Sequence, residues 1–203
     1  MHIEFFLEEL SCEAAIQNLA PRILSSNDSF TVHPHQGKSD LLAKLPNRLS
    51  GYRYWLPEDW RIFVLVDLDD DNCEELKESL EAFARTAGLT TRSHRERGAR
   101  IQVINRIAIE ELEAWFFGDV EALRTAYPRV PASLGERAKF RNPDAIVGGT
   151  WEALERELQR YGYFSGGLSK ITAAREISRH MDPARNRSKS FQVFRDGLRE
   201  LIA

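Results

Sequence analysis

The sequence predicts an α/β protein with a mainly parallel four-stranded sheet flanked by helices, followed by a helical C-terminal extension. In residues 1–107, four short β-prone segments alternate with segments of helical periodicity, an order typical of parallel sheets. The segment RIFVLV at residues 61–66 is apolar after Arg61, as expected of a strand buried on both faces. After residue 107 the segments are helical, apart from a loop predicted over residues 128–149, which are rich in Pro, Gly and Asn. We therefore expect a core over 1–107 and an extension over 108–203, packed together as one compact unit.

Local signals place the individual strands and helices. The first strand covers residues 2–7, and the second, 30–35, contains Pro34, which is typical of an edge strand. The third covers 61–66 and the fourth 101–104. Apolar residues at helical spacing predict the helices, and Gly88 ends one of them. The predicted helices cover about 12–23, 40–49, 73–87, 108–117, 120–127, 151–160, 170–180 and 190–202.

Composition excludes a disordered chain, a collagen-like repeat and a coiled coil. With 203 residues, 42% hydrophobic and 29% charged, the chain has ordinary globular usage. No apolar run approaches the roughly 18 residues of a membrane span. The first residues carry acids where a signal peptide carries Lys or Arg, so we expect a cytoplasmic protein. Cys12 and Cys73 lie outside any CxxC context and suggest neither a disulfide framework nor a zinc site.

The net charge of −3 hides an asymmetry between the two parts of the chain. Residues 1–122 carry 22 acidic and 13 basic residues, net −9, whereas residues 123–203 carry 9 and 15, net +6. Of the 28 basic residues 22 are Arg, whose guanidinium suits phosphate, although a GC-rich genome also explains this usage. An acidic front and a basic back are compatible with binding of a polyanion.

Acidic residues follow two predicted strands. Glu8 and Glu9 end the first strand, and Asp67, Asp69 and Asp71 follow the third. Ligands of parallel α/β sheets bind at this carboxyl edge, and Mg²⁺ prefers carboxylate ligands. Asp67 and Asp69 are therefore candidates to hold one cation. The alternative is a solvated helix N-terminus, which suits Asp71 better than Asp67.

A third acidic cluster follows the fourth strand, at Glu110, Glu111 and Glu113. We expect these residues to open a helix, where Glu110 and Glu113 share one face at i,i+3 spacing. Acids in the first helical turn are also favourable without any ligand, so the sequence leaves both interpretations open.

The Glu8 motif after an apolar strand and the Asp67-Leu68-Asp69 motif together resemble the Toprim domain. That domain occurs in topoisomerases, DnaG-type primases and overcoming-lysogenization-defect nucleases. Glu9 departs from the pattern, because Gly is common there. Nearly the whole chain is similar to a bacterial Toprim-like family catalogued as domain of unknown function 4276. The similarity lies in residues 7–11, 37–42, 65–73, 110–119 and 180–194.

The resemblance implies a nuclease that uses one or two Mg²⁺ or Mn²⁺ ions. Asp67 and Asp69, with Asp71 nearby, would hold metal. Glu8 would act as general base or second ligand, and Glu110 or Glu113 would complete a two-metal site. Genes of such proteins often lie beside ATPases in bacterial conflict systems, which implies a role in phage defence. The alternatives are a non-catalytic module acting with a partner ATPase and, more weakly, a phosphatase or nucleotidyl transferase.

Basic residues supply two further candidates. Lys38 follows Gly37 as in a phosphate-binding loop, but Val32 stands where the required first Gly would be, which excludes an NTP-binding P-loop. Lys38 remains a candidate contact for phosphate or a catalytic acid. In the tail, Ser190 is expected to cap the last helix, whose N-terminus favours an anion. The predicted contacts to nucleic-acid phosphate there are Arg185, Arg187, Lys189 and Ser190.

Overall fold

The computed structural model describes residues 1–96 and 98–202, and within them the four strands form one entirely parallel sheet. The predicted α/β fold with a helical C-terminal extension is thus confirmed. The strand order is β2-β1-β3-β4, which places β1 and β3 at the centre. The strands are β1 (His2–Leu7), β2 (Ser29–Pro34), β3 (Trp60–Asp67) and β4 (Val103–Ala108).

Three helices connect the strands and five follow them among the described residues. Short 3-10 turns occupy parts of the connection between α5 and α6. The helices are α1 (Leu10–Ile23), α2 (Lys38–Tyr52), α3 (Cys73–Thr86), α4 (Glu113–Gly118), α5 (Val120–Ala126), α6 (Thr150–Arg160), α7 (Lys170–Ser178) and α8 (Lys189–Ile202). No helix of the described residues is both long and apolar enough to cross a membrane.

The two faces of the sheet pack against different helices, because successive side chains of a strand point to opposite sides. Phe6 and its neighbours on one face pack with α2 and α3. On the other face, Phe5 and Phe63 share a core with α1 and with helices of the extension. The rings of Phe63 in β3 and Phe194 in α8 meet edge to face at 5.4 Å. The extension therefore closes one face of the sheet.

The parallel register brings the carboxyl ends of the strands to one edge. Leu7 pairs with Pro34 on one side and Leu65 on the other, and Asp67 pairs with Ala108. The residues that follow each strand consequently share a rim, which we call the carboxyl edge. The opposite rim, where the strands begin, is the amino edge.

The fourth strand differs from its prediction. It runs to Ala108 instead of ending at residue 104, and the helix predicted from 108 begins only at Glu113. Asn105 and Arg106 interrupt the apolar pattern, but neighbouring helices supply partners for both. Lys77 of α3 donates to the Asn105 carbonyl at 2.6 Å, and Arg106 donates to the Val193 carbonyl of α8 at 3.2 Å.

Candidate active site at the carboxyl edge

Asp67 is the last residue of β3, and its side chain is 8% exposed at the carboxyl edge. Burial raises its pKa well above the usual range, and the nearby carboxylates of Glu113 and Glu8 raise it further. Glu8 follows β1, and its Oε2 accepts the Asp67 backbone N–H at 3.0 Å. This bond joins the two predicted motifs across the sheet. Burial also raises the pKa of Glu8.

Glu113 is the deepest acid of this region. It is the first residue of α4, its side chain is 1% exposed, and its Oε2 has no hydrogen-bond partner among the described residues. Burial raises its pKa to about 7. Glu113 is also the strongest of the carboxylates that act on Asp67. The charge of Glu113 thus acts on a buried acid from a distant part of the chain.

Lys170 faces the same cluster from the extension and was missed by the sequence analysis. It begins α7, and its Nζ lies 4.0 Å from Glu9 Oε1. Burial alone lowers its pKa, but the carboxylates of Glu113 and Glu9 more than offset this and raise it. Glu9 in turn accepts a short hydrogen bond from the Ser11 hydroxyl. No local motif marks Lys170, because only the packing of α7 on α1 brings it here.

Lys38 neutralises the acids of the loop after β3. Its Nζ lies 2.8 Å from Asp69 and 2.7 Å from Asp71, and it donates to the Leu68 carbonyl at 3.0 Å. Burial lowers its pKa, but these carboxylates raise it overall. The predicted contact between Lys38 and an acid of the site is present. The predicted ligands Asp69 and Asp71 are brought together by this ammonium group.

The acids after β4 do not share a helical face as predicted. Glu110 lies outside α4, with a left-handed φ of 62°, and its carbonyl accepts the Asp69 N–H at 2.9 Å. The i,i+3 pairing with Glu113 is therefore wrong, because β4 turns sharply before α4 begins. Glu111 caps α6, since its Oε2 accepts the N–H groups of Thr150 and Trp151 at 2.8 Å each.

A cavity lined by acidic residues adjoins the loop after β3. Its volume is about 320 Å³, and burial with the charges of Glu111 and Asp70 raises the pKa of Glu110 at its wall. The residues that line it are Asp69, Asp70, Glu110, Glu111, Gly149 and Glu152.

The implied metal can be tested against these side chains. Within residues 1–96 and 98–202, no group of three or more His, Cys, Asp or Glu side chains is arranged to hold a metal ion. The chemistry of the donors nevertheless fits Mg²⁺ or Mn²⁺, which prefer carboxylate oxygens. Glu113 Oε2 is buried without a donor, and Asp67 is destabilised by its acidic neighbours. A cation would relieve both costs.

Two of the predicted phosphate contacts of the tail, Arg185 and Arg187, have protein partners instead. Arg185 is paired with Asp119 at 2.9 Å and with Glu121 at 3.2 Å. Arg187 donates to the Gly135 carbonyl at 3.5 Å.

The N-terminus of α8 is already capped. Ser188, not Ser190, is its N-cap, and Ser188 Oγ accepts the Phe191 N–H at 3.0 Å. The Asp144 carboxylate accepts the N–H groups of Lys189 and Ser190, so an anion from the protein itself occupies the predicted site. The Ser190 hydroxyl is buried and accepts from Trp115 Nε1 at 2.9 Å.

Fold and site together define a parallel α/β protein with buried, partly unneutralised carboxylates at the carboxyl edge of its sheet. A family model described as domain of unknown function (DUF4276) matches residues 7–199, and the chain belongs to this family. The predicted membership of domain of unknown function 4276 is thus confirmed. No match was found among curated proteins or among solved structures.

Proposed function

We propose that the protein is a Toprim-like, Mg²⁺- or Mn²⁺-dependent nuclease that hydrolyses phosphodiester bonds of DNA or RNA. The observation that carries the proposal is the pair Asp67 and Glu113. Both are buried at the carboxyl edge, and Glu113 Oε2 lacks a partner among the described residues. Leaving buried carboxylates without a donor is costly, so their retention favours a ligand with positive charge. In a cytoplasmic protein, as proposed here, Mg²⁺ is a natural choice.

The residues divide into metal holders and phosphate contacts. Asp67 and Glu113 would hold the ion, and it would supply the charge that stabilises the attacking and leaving oxygens. Asp69, Asp71 and Glu110, on the neighbouring loops, are the further candidates for this role.

Glu8 and Lys170, which both lie near Asp67, would have different roles in the proposed reaction. The Asp67 N–H fixes one oxygen of Glu8 at 3.0 Å, which leaves the carboxylate positioned to accept a proton from water. Its raised pKa brings it closer to the operating pH, which favours general-base catalysis. The ammonium groups of Lys170 and Lys38 would meet phosphate oxygens at the rim. Lys189 is exposed and stays a candidate for a more distant phosphate contact.

The test is hydrolysis by purified protein of single- and double-stranded DNA and RNA with Mg²⁺ or Mn²⁺. Asp67→Asn and Glu113→Gln should each lower the rate about 10³-fold, while folding is checked by circular dichroism. Glu136→Gln, which changes an exposed acid in a 3-10 turn between α5 and α6, is the matched control and should leave the rate unchanged. Wild-type protein that leaves every substrate intact, under conditions where it is folded and metal-loaded, would refute the nuclease.

A second candidate is a non-catalytic module that acts with a partner ATPase. The observation that favours it is Lys38, which neutralises Asp69 and Asp71 without any metal. Isothermal titration with Mg²⁺ separates the two. Millimolar or tighter binding that disappears in Asp67→Asn supports the nuclease, whereas no binding supports the module.

A further inference from the structure

The amino edge of the sheet, opposite the acidic site, carries an exposed group of aromatic side chains. Tyr54 is 84% exposed and Trp55 is 56% exposed, in the turn between α2 and β3. Large exposed aromatic side chains are uncommon on monomeric proteins when they adjoin one another. Neither residue belongs to the carboxyl-edge site, and no role in metal binding or hydrolysis explains them.

Trp55 is held in place by other aromatic rings. Its ring lies 4.8 Å from Tyr52 at an angle of 32° and 5.8 Å from Trp60 in an edge-to-face contact. Trp60 in turn lies 4.2 Å from the ring of His2. Tyr52 is buried, so Trp55 is supported from below while more than half of it remains open to solvent. An indole fixed in this way loses little entropy when a flat partner stacks on it.

Arginines lie in the same region as these rings. The Arg53 guanidinium lies 5.9 Å from the centre of the Tyr54 ring. Arg48 lies close enough to lower the pKa of Tyr52 slightly against the larger effect of burial. Arg61 donates to the Glu58 and Trp60 carbonyls, and its pKa is lowered by burial and then by the charge of Arg100. We call Arg48, Arg53, Tyr54, Trp55, Arg61 and Arg100 the amino-edge patch.

The charge of this patch is unbalanced. Within residues 1–96 and 98–202, none of its four arginines forms a salt bridge. The exposed acids of the turn are Glu58 and Asp59, and the charge of Asp59 acts on Arg61, so four arginines face two acids. The patch is therefore an island of positive charge in the part of the chain, residues 1–122, whose net charge is −9. Guanidinium groups without a salt bridge beside a free aromatic face are complementary to phosphates beside bases.

We propose that the amino-edge patch binds single-stranded nucleic acid, with a base stacked on Trp55 and phosphates held by Arg48 and Arg53. A strand is favoured over a duplex because stacking needs an unpaired base face, which a duplex buries. A protein partner is the alternative that the experiment must distinguish, since Trp, Tyr and Arg also occur at protein interfaces. The proposal does not depend on nuclease activity, because the patch and the acids lie at opposite edges of the sheet.

The experiment measures fluorescence anisotropy of labelled oligonucleotides of about 15 nucleotides, in EDTA, at several salt concentrations. Oligo(dT), oligo(rU) and a duplex of equal length are compared. We expect both single strands to bind more tightly than the duplex. Trp55→Ala should weaken binding about tenfold, whereas Trp55→Phe should retain most of it because a ring remains. Arg48→Glu and Arg53→Glu should weaken binding and reduce its salt dependence.

Controls separate the patch from general surface effects. Val147→Ala removes another exposed apolar side chain, and Arg156→Glu reverses another exposed charge, so both should bind like wild type. Hydrolysis of bis(p-nitrophenyl) phosphate by the metal-loaded protein should be equal in Trp55→Ala and wild type.

Three results would overturn the proposal. They are no binding of any single strand, equal binding by Trp55→Ala and wild type, or tighter binding of the duplex. Light scattering of the same variants tests the alternative, a protein partner. A change in oligomer mass with unchanged oligonucleotide binding would assign the patch to a protein contact. If the protein cleaves its substrate normally but fails these binding tests, nucleic-acid binding by the amino-edge patch is refuted, while the proposed nuclease activity is not.

Discussion

Two buried acids in this protein, Asp119 and Glu113, have opposite surroundings although both lie in the first turns after β4. Asp119 is 2% exposed and accepts hydrogen bonds from the Ala122 and Asp182 N–H groups and from Arg185. Glu113 is equally buried, yet one of its oxygens has no donor among the described residues. Asp119 is built into the fold, whereas Glu113 has a charge that the fold does not satisfy. Burial alone therefore does not distinguish these two acids, whereas the hydrogen-bond donors around them do.

Removing Asp119 gives the sharpest test of this contrast. Asp119→Ala should lower the free energy of unfolding by about 4 kcal/mol, because it leaves several buried donors unpaired and releases the loop that carries Arg185. Urea denaturation measures the change. Glu121→Ala removes the exposed partner of the same arginine and should cost less than about 0.5 kcal/mol. Equal effects of the two substitutions would contradict the structural role of Asp119.

Glu113→Gln should instead raise the free energy of unfolding at high pH. The pKa of Glu113, about 7 in the folded protein, lies above its ordinary value of 4.5, so the folded state holds its proton more tightly. Stability is therefore fully present below about pH 4.5 and falls as the pH rises through 7. The neutral amide removes this loss, so in metal-free buffer at pH 8 the variant should be more stable by about 3 kcal/mol.

The same substitution has a built-in control at low pH. Near pH 4, where the carboxyl is protonated in both states, the variant and wild type should unfold at similar urea concentrations. Addition of Mg²⁺ at pH 8 should stabilise wild type but not Glu113→Gln. A wild-type stability that rises between pH 5 and 8 relative to the variant would show that Glu113 is satisfied after all.

Substitution of Glu111 should change the free energy of unfolding least among the three acids. Its carboxylate has hydrogen-bond donors, and it is more exposed than Asp119 or Glu113. Its carboxylate accepts from the backbone and hydroxyl of Thr150 and from Trp151, which caps α6. Glu111→Gln keeps one acceptor but loses the charge, and should cost about 1 kcal/mol in thermal or urea unfolding. Glu136→Gln, at an exposed acid, should be neutral. Loss of activity without loss of stability in Glu111→Gln would instead place Glu111 among the metal holders.

The fold was predictable where the local sequence pattern agrees with the tertiary structure. The third strand is apolar from Ile62 to Val66 and rich in β-branched residues, and the structure places it at residues 60–67, in the centre of the sheet. The end of β4 was not predictable in the same way. Asn105 and Arg106 are polar, and only the approach of Lys77 from α3 and of α8 makes a strand there favourable. Tertiary contacts override the local pattern at such positions.

The site was predictable to the same degree. Glu8 and Asp67 each follow a strand, and the parallel register brings them together, as their hydrogen bond shows. Lys170 and Asp144 belong to distant segments without a motif. Their positions depend on how α7 and the loop before α6 fold back, which spacing along the chain does not reveal.

The contact between Phe63 and Phe194 also has a consequence for synthesis of the protein. The β3 strand leaves the ribosome about 130 residues before the helix that covers it. During that interval the apolar face of the nascent sheet is open to water and to chaperones. A chain that stops before α8 would keep this face exposed, so prematurely terminated copies should be recognised and degraded rather than accumulate.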